Sequence, residues 1–207
     1  MRSKEKSTKI IFVRHAQPDF PIDRIYCDFD EDPQLTQEGL KQARVAAEFF
    51  KDVSIEALYA SPAARTLATA EPISGITGHA ITTVEGLRER RFGHWEGLYF
   101  HEIEEKYPND YLDWKKDKVN YTPEGGETMV HVVERLEAAL GEIIARHRGQ
   151  TVAVVSHVGP IRVCVTRAFE MPLHQYRQIR IDYASISRID YGETQNNLIF
   201  LNHLRYI

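Results

Sequence analysis

The stretch Ile10-Ile11-Phe12-Val13-Arg14-His15 decides the fold of this chain. Its first four residues are β-branched or aromatic, which is typical of a strand buried on both faces and covered by helices. The charged groups of Arg14 and His15 are costly to bury without partners, so they should lie where the strand ends. In open α/β sheets, ligands bind at that carboxyl edge. An Arg-His pair alone fits a solvated turn equally well, so the rest of the chain has to decide.

Length, composition and charge are those of an ordinary globular protein. We expect 1–207 to form a single domain, because 207 residues suffice for a sizeable core. The hydrophobic fraction of 43%, the charged fraction of 27% and the net charge of −4 suggest no nucleic-acid or membrane partner. No apolar run approaches the length of a membrane span or a signal-peptide core. These features predict a cytoplasmic protein.

The two cysteines, Cys27 and Cys164, lie far apart and lack the spacing of a metal site. Cys164 falls in an apolar segment predicted to be helical, so we expect a buried thiol. Cys27 lies in a polar loop where it could be exposed. We predict no disulfide, in keeping with a reducing cytoplasm.

Strands and helices alternate along the chain, which predicts a three-layer α/β/α domain with a mostly parallel sheet. The predicted strands cover 9–14, 55–59, 80–84, 151–156, 185–191 and 197–203. The predicted helices cover 36–51, with Thr36 as N-cap, 127–147 and 159–169, and a further helix starts from the N-cap Ser61 and the first-turn Pro62. Two irregular segments, 17–35 and 90–126, should form a cap, with short helices at about 98–106 and 109–117.

Arginine or histidine residues stand at or shortly after the ends of three predicted strands. After Arg14 and His15, the second strand leads into a helix whose first turn carries Arg65, and the strand 151–156 is followed by His157. Singly, Arg65 would be a surface residue and His157 a structural histidine. If the strands are parallel neighbours, however, all four side chains meet at one edge. Arginine forks and helix N-termini bind phosphoryl groups, and a neutral imidazole can attack phosphorus, so the set predicts a phosphoryl pocket with its own covalent acceptor.

Phosphoryl transfer also needs a proton donor for the leaving oxygen. The candidates are Glu89 and Glu96, which lie in a segment dense in charged and aromatic residues, 87–97. Spacing alone does not distinguish between these two carboxylates.

Five motifs together resemble the histidine phosphatase superfamily, in its phosphoglycerate-mutase-like branch. They follow the family order over about residues 9–165: VRHAQ at 13–17, SPAARTLATA at 61–70, LRERRFGHWEG at 87–97, PEGGET at 123–128 and VVSHVGPIR at 154–162. Each motif alone is weak, but five in order are highly specific. The resemblance implies an enzyme that needs no metal or organic cofactor.

The resemblance also implies roles for single residues. It makes His15 the nucleophile that becomes phosphohistidine and Glu89 the general acid and base, whereas Glu96 falls in a motif that is structural. The implied phosphate-binding set is Arg14, Arg65 and His157. PEGGET corresponds to a loop at the pocket rim, with Thr128 at the start of the long helix.

The chain departs from the family pattern after each histidine. Ala16 and Val158 stand where the family usually has glycine, which bears on the shape of the pocket. An acid-phosphatase branch places an aspartate proton donor directly after the second histidine. Val158 cannot serve there, which points to Glu89 instead.

The resemblance predicts a phosphomonoester phosphatase that acts through phosphohistidine on a small phosphorylated metabolite. A phosphoglycerate-mutase type of transfer stays open, because Arg90 matches a mutase-like position and Lys115 and Lys116 could form a basic pair. A solvated helix face explains the two lysines more simply. A non-catalytic phosphate-binding module would have lost the nucleophile or the acid, and this chain keeps both.

The sequence does not identify the substrate. Residues that could select it lie in the cap segments: Arg24, Arg90, Arg91, His94, Tyr99, Trp114 and Lys115. Sugar phosphates, nucleotide-derived phosphates, phosphoglycerates and phosphoproteins all stay open. We expect a small-molecule phosphomonoester as the partner, and the oligomeric state is open, a homodimer included.

Overall fold

The computed structural model describes residues 7–25 and 32–204. Within these ranges the strands are β1 (Thr8–Arg14), β2 (Ala57–Ala60), β3 (Ile81–Thr83), β4 (Thr151–Ser156), β5 (Ile186–Tyr191) and β6 (Asn196–His203). They form one sheet in the order β3-β2-β4-β1-β5-β6. The first four strands in that order are parallel, β5 is antiparallel to its neighbour β1, and β6 is antiparallel to β5. The predicted mostly parallel sheet is confirmed.

Helices cover both faces of this sheet. They are α1 (Gln37–Ala47), α2 (Ala64–Thr77), α3 (Phe100–Lys106), α4 (Pro108–Lys116), α5 (Met129–Arg146) and α6 (Val158–Ala168). On β1, Ile11 and Val13 belong to the core that includes buried residues of α1 and α2. Ile10 and Phe12 point the other way, into the core shared with α5 and α6. The continuous apolar run is therefore explained by a strand buried on both faces.

The register of the parallel strands brings their carboxyl ends together. Arg14 lies opposite Ser156 of β4, and Ala60 of β2 lies opposite Val155. Whatever follows β1, β2 and β4 therefore emerges at the same sheet edge, as the sequence predicted.

The start of α2 differs from the prediction. The helix begins at Ala64 after Ala63, and the N-cap makes no side-chain hydrogen bond. Ser61 is not the cap because its hydroxyl is bonded to His157 instead. Asp32, from the distant loop, accepts a hydrogen bond from the Ala64 N–H at 2.6 Å and takes over the capping. The predicted N-cap Thr36 is confirmed by a hydrogen bond to its helix, and Thr128, expected at the start of the long helix, is the N-cap of α5.

The cap has a small core of its own. Ile25, Trp95, Ile103 and Trp114 form a buried cluster that α3 and α4 help to build. The two predicted short helices are thus confirmed. Isolated bridges between Arg24 and Tyr99 and between Phe92 and Gly126 tie the cap segments together.

Cys164 is buried, as predicted, and burial raises the pKa of its thiol to about 12. Cys27 lies outside the described residues. Among the helices of 7–25 and 32–204, none is long and apolar enough to cross a membrane.

Candidate active site

The structure brings three of the predicted side chains together at the sheet edge: His15, His157 and Arg65. The backbone N–H of His15 donates to the Ser156 carbonyl at 2.9 Å, and the rings of His15 and His157 lie 5.2 Å apart. Arg65, in the first turn of α2, lies 2.9 Å from a nitrogen of His157. Parallel register and the short turns after β1, β2 and β4 account for this convergence.

His15 is held as a neutral ring with one free nitrogen. Its Nδ1 lies 2.9 Å from the Ala16 carbonyl, which can only accept, so Nδ1 carries the proton. The lone pair is therefore on Nε2. Burial, and then the charges of Arg65 and Arg14, hold the pKa of His15 well below 6.5. The ring is thus uncharged at neutral pH, the form in which an imidazole can act as a nucleophile.

His157 uses both ring nitrogens within the protein. Arg65 Nη2 can only donate, so His157 Nδ1 accepts, and Nε2–H donates to the Ser61 hydroxyl at 2.8 Å. Burial and the charge of Arg65 hold the pKa of His157 well below its usual value. In this arrangement His157 orients the Arg65 guanidinium.

Two arginines flank the His15 ring. Arg65 is fully buried, and its Nη1 lies 3.3 Å from Asp32 Oδ1. Arg14 donates from Nη1 to the Ile181 carbonyl at 2.7 Å, and its guanidinium stacks 3.8 Å from the ring centre of Tyr183. Its buried Nε has no hydrogen-bond partner within the described part of the chain. A buried donor of this kind suits an oxygen of a bound phosphoryl group.

Glu89 lies in the same cavity as His15, Arg14 and Arg65. Its carboxylate accepts hydrogen bonds from the backbone N–H of Arg90 at 2.9 Å and of Gly159 at 3.1 Å. Between the two candidates from the sequence, the geometry favours Glu89. Glu96 instead accepts from the Phe92 N–H at 2.8 Å, within its own turn.

Arg135 of α5 holds the loop that carries Glu89. Its guanidinium donates to the carbonyls of Gly86, Arg88 and Glu89 at distances of 2.8 to 3.0 Å. It also pairs with both carboxylate oxygens of Glu127, at 2.9 and 3.1 Å. Arg135 thereby connects the PEGGET loop, which ends in Glu127 and Thr128, to the segment that carries Glu89.

Gly159 leaves room for the Glu89 carboxylate. A Cβ at position 159 would lie 2.1 Å from Glu89 Oε1. We expect Gly159→Ala to displace Glu89 and to lower kcat about tenfold or more, since misplaced catalytic groups act poorly. The matched control is Gly141→Ala on α5, where a Cβ meets nothing within 4 Å. Steady-state kinetics of both variants test this, and wild-type kcat in Gly159→Ala contradicts it.

The two buried histidines make stability depend on pH. The pKa values of His15 and His157 lie well below 6.5 in the folded protein, so below that pH the unfolded chain binds protons that the folded chain does not. Their stabilising contribution is therefore complete above pH 6.5 and declines on acidification, by up to about 1.4 kcal/mol per pH unit for each histidine. We expect urea unfolding from pH 7 to pH 5 to show this decline. His15→Asn should remove the contribution of one histidine to the change of unfolding free energy with pH. If that change is the same in His15→Asn as in the wild type, the lowered pKa of His15 is contradicted.

The cavity around these groups has a volume of about 400 Å³. Part of its lining is apolar and is formed by Pro18, Phe20, Pro21, Ile22 and Phe92. Ile22 is 87% exposed there, which leaves an apolar side chain in contact with solvent. Arg24, Asp182 and Tyr183 complete the lining together with Val158.

Of the cap residues proposed to select the substrate, Arg24 lines this cavity and the others do not. Arg90 is buried and donates to the carbonyls of Glu127, Lys118 and Tyr121, so it braces the cap. His94 lies against Tyr107, with ring centres 4.4 Å apart. The remaining members are Arg91, which lies 3.9 Å from Glu127, Tyr99, which caps α3, the buried Trp114, and the exposed Lys115.

Sequence reasoning missed several residues of the site. Asp32 contacts Arg65, Ser61 contacts His157, and Arg135 holds the loop that carries Glu89. No local sequence pattern indicates these three contacts. Tyr183 lies 5.6 Å from the His15 ring and over Arg14. Its neighbour Ala184 has a left-handed backbone with φ of 54° and donates its N–H to the His15 carbonyl at 3.2 Å. Such strain in a non-glycine residue is common beside functional sites.

The chain is similar to known proteins over most of its length. The profile of the histidine phosphatase superfamily (branch 1) matches residues 10–203. The chain is 32% identical over 195 residues to phosphoserine phosphatase 1 of Hydrogenobacter thermophilus, covering 94% of this chain and 92% of the relative. It is 30% identical over 191 residues to the probable phosphoglycerate mutase GpmB of Escherichia fergusonii, covering 90% and 86%.

Solved structures share the fold. A mycobacterial glucosyl-3-phosphoglycerate phosphatase superposes with a TM-score of 0.84 at 24% identity, over 95% of this chain and 99% of that one. A phosphoserine phosphatase mutant of Entamoeba histolytica superposes with a TM-score of 0.81 at 24% identity, over 94% and 96%. The predicted family, fold class and enzyme class are thereby confirmed: the chain belongs to branch 1 of the histidine phosphatase superfamily.

Proposed function

We propose that this chain hydrolyses small phosphorylated metabolites through a phosphohistidine formed on His15. One observation carries the proposal. The ring of His15 is neutral with its Nε2 lone pair available, and it lies in a cavity with Arg14, Arg65 and Glu89. Relatives and structural neighbours named as phosphoserine and glucosyl-3-phosphoglycerate phosphatases support the same chemistry.

In the first step, His15 Nε2 attacks phosphorus and the bond from phosphorus to the ester oxygen breaks. Glu89, protonated at this stage, gives its proton to the leaving alcohol oxygen. Arg14 and Arg65 hold the other phosphoryl oxygens and stabilise their charge, which is the main electrostatic contribution to such a transfer. His157 fixes the Arg65 guanidinium through the hydrogen bond at 2.9 Å.

In the second step, the Glu89 carboxylate takes a proton from water. The water oxygen attacks phosphorus, the bond to Nε2 breaks, and inorganic phosphate leaves. His15 returns to its neutral form with the proton still on Nδ1. Glu89 is again protonated and ready for the next ester.

A mutase would return the phosphoryl group to a bound acid and would need cations to hold that acid. The residues considered for this task are used otherwise. Arg90 donates to three backbone carbonyls, and Lys115 and Lys116 are exposed beside Glu104 and Asp113. The relative named as a phosphoserine phosphatase favours hydrolysis, and the parallel mutase assay below decides between the two. The retained nucleophile and acid likewise argue against a non-catalytic phosphate-binding module.

The test is an assay with p-nitrophenyl phosphate and a panel of phosphometabolites, with mutase activity measured in parallel. We expect release of inorganic phosphate from p-nitrophenyl phosphate and from members of the panel. Absence of hydrolysis by folded protein contradicts the proposal. Transfer to phosphoglycerate that outruns release of phosphate would establish a mutase instead.

The cytoplasmic location, the single domain over 1–207 and a homodimer stay predictions. Fluorescence imaging of the tagged chain tests the location. Limited proteolysis tests the single domain, and sedimentation tests the homodimer.

A further inference from the structure

A second cavity, of about 130 Å³, adjoins the catalytic cavity. Three residues line both: Glu89, Phe92 and Val158. The walls of the second cavity also contain Arg162 of α6, Arg177 of the segment after α6, and Trp114 of the cap. Glu89, the proposed proton donor to the leaving oxygen, is therefore common to both spaces.

Three arginines line the second cavity, Arg90, Arg162 and Arg177, and the carboxylate among its lining residues is that of Glu89. Arg162 donates from Nε to the Ile179 carbonyl at 2.6 Å. Within residues 7–25 and 32–204, no carboxylate lies within ion-pair distance, 4.0 Å, of Arg162 or Arg177. Burial, and then the charge of Arg177, lower the pKa of Arg162, while the charge of Glu89 acts in the opposite direction. Like charges held close together are unfavourable, and a bound anion would relieve this repulsion.

The wall of the same cavity also contains an unused hydrogen-bond donor. Trp114 is only 5% exposed, and its buried indole N–H has no acceptor among the described residues. Cations surround its ring, since Lys118 Nζ lies 5.0 Å and the Arg177 guanidinium 5.6 Å from the ring centre. Buried donors normally have partners, and an anionic ligand group in this cavity would supply an acceptor beside Trp114.

We propose that the second cavity is a subsite for an anionic group, a carboxylate or a second phosphate, on the alcohol part of the substrate. The inference rests on the proposed phosphatase function and narrows its substrate class. With the ester oxygen at Glu89, a short alcohol can extend past Glu89 towards Arg162 and Arg177. The preferred substrates are thus phosphomonoesters of small acidic alcohols rather than of neutral ones.

The test uses two ligands that differ only in the proposed anchor: glycerate and glycerol, each phosphorylated at the terminal hydroxyl. Each competes against p-nitrophenyl phosphate, so a Ki is obtained whether or not it is turned over. We expect the carboxylate compound to bind at least about tenfold more tightly to the wild type, as charge-assisted hydrogen bonds would give. Arg177→Gln and, separately, Arg162→Gln should bring the ratio of the two Ki values close to one.

Arg167→Gln is the matched control, because Arg167 is also on α6 and pairs with Glu137 on the surface. Arg167→Gln should keep the wild-type ratio of the two Ki values. Arg177→Lys keeps a positive charge, so its ratio should lie between those of Arg177→Gln and the wild type. Equal Ki values in the wild type, or a wild-type ratio in both glutamine variants, overturn the subsite while hydrolysis of p-nitrophenyl phosphate still supports the phosphatase. If the folded wild type hydrolyses nothing, the proposed function fails, and calorimetric binding of the two ligands still decides on the subsite.

Discussion

Replacing His15 with alanine abolishes turnover: we expect kcat/KM for p-nitrophenyl phosphate to fall at least about 10⁴-fold. The reason is that Nε2 of His15 is the proposed acceptor of the phosphoryl group, and His157 has both nitrogens committed to Arg65 and Ser61. Rapid quenching of wild-type protein with labelled substrate should trap a phosphoenzyme. The bond should survive alkali and break in acid, as a phosphoramidate does.

The matched control is His131→Ala, because His131 is an exposed histidine on α5 and does not line the cavity that contains His15. It should keep both turnover and labelling. Labelling that persists in His15→Ala would rule out His15 as the acceptor. Circular dichroism of the variant distinguishes lost chemistry from lost folding.

Replacing Glu89 with glutamine should reduce turnover in a way that depends on the leaving group. The amide keeps the size of the carboxyl group but cannot donate the proton in the first step. We expect kcat for an alkyl phosphate to fall about 10²- to 10³-fold, the usual contribution of a general acid. p-Nitrophenolate leaves readily without protonation, so the rate of the first step with p-nitrophenyl phosphate should fall much less. A leaving-group series measured on both proteins gives this comparison.

Glu96→Gln is the control, because Glu96 was an equal candidate by spacing and instead accepts a hydrogen bond from the Phe92 N–H. The amide oxygen can still accept that bond, so the leaving-group dependence should stay that of the wild type. A uniform loss for all esters in Glu89→Gln would show that Glu89 serves folding or binding instead of proton transfer.

Much of the fold could be predicted because its signals are local. The run 10–13 is apolar at every position, and only a strand covered on both faces gives each of those residues an apolar environment. The run TVAVVS at 151–156 is apolar in the same way from 152 to 155. For α5 the local signal is different: its apolar residues recur at helical spacing and so mark one buried face. Thr36 and Thr128 cap their helices as expected, since a cap depends on residues within one turn.

The start of α2 could not be predicted from the chain nearby. Ser61 and Pro62 form a good local signal for a helix start, but Ser61 bonds to His157 instead. Asp32, about thirty residues away, supplies the acceptor for the first turn. A local rule fails here because a distant group competes for the same hydroxyl.

The sequence by itself predicted the family and the buried strand β1, because these depend on motifs and on local pattern. Through the family resemblance it also pointed to the five residues of the proposed chemistry. Only the tertiary structure decided how those residues are held. Asp32 reaches Arg65, Arg135 holds the loop of Glu89, and Tyr183 covers Arg14. Such contacts join residues far apart in the chain, so they follow from packing in three dimensions and from no pattern along the sequence.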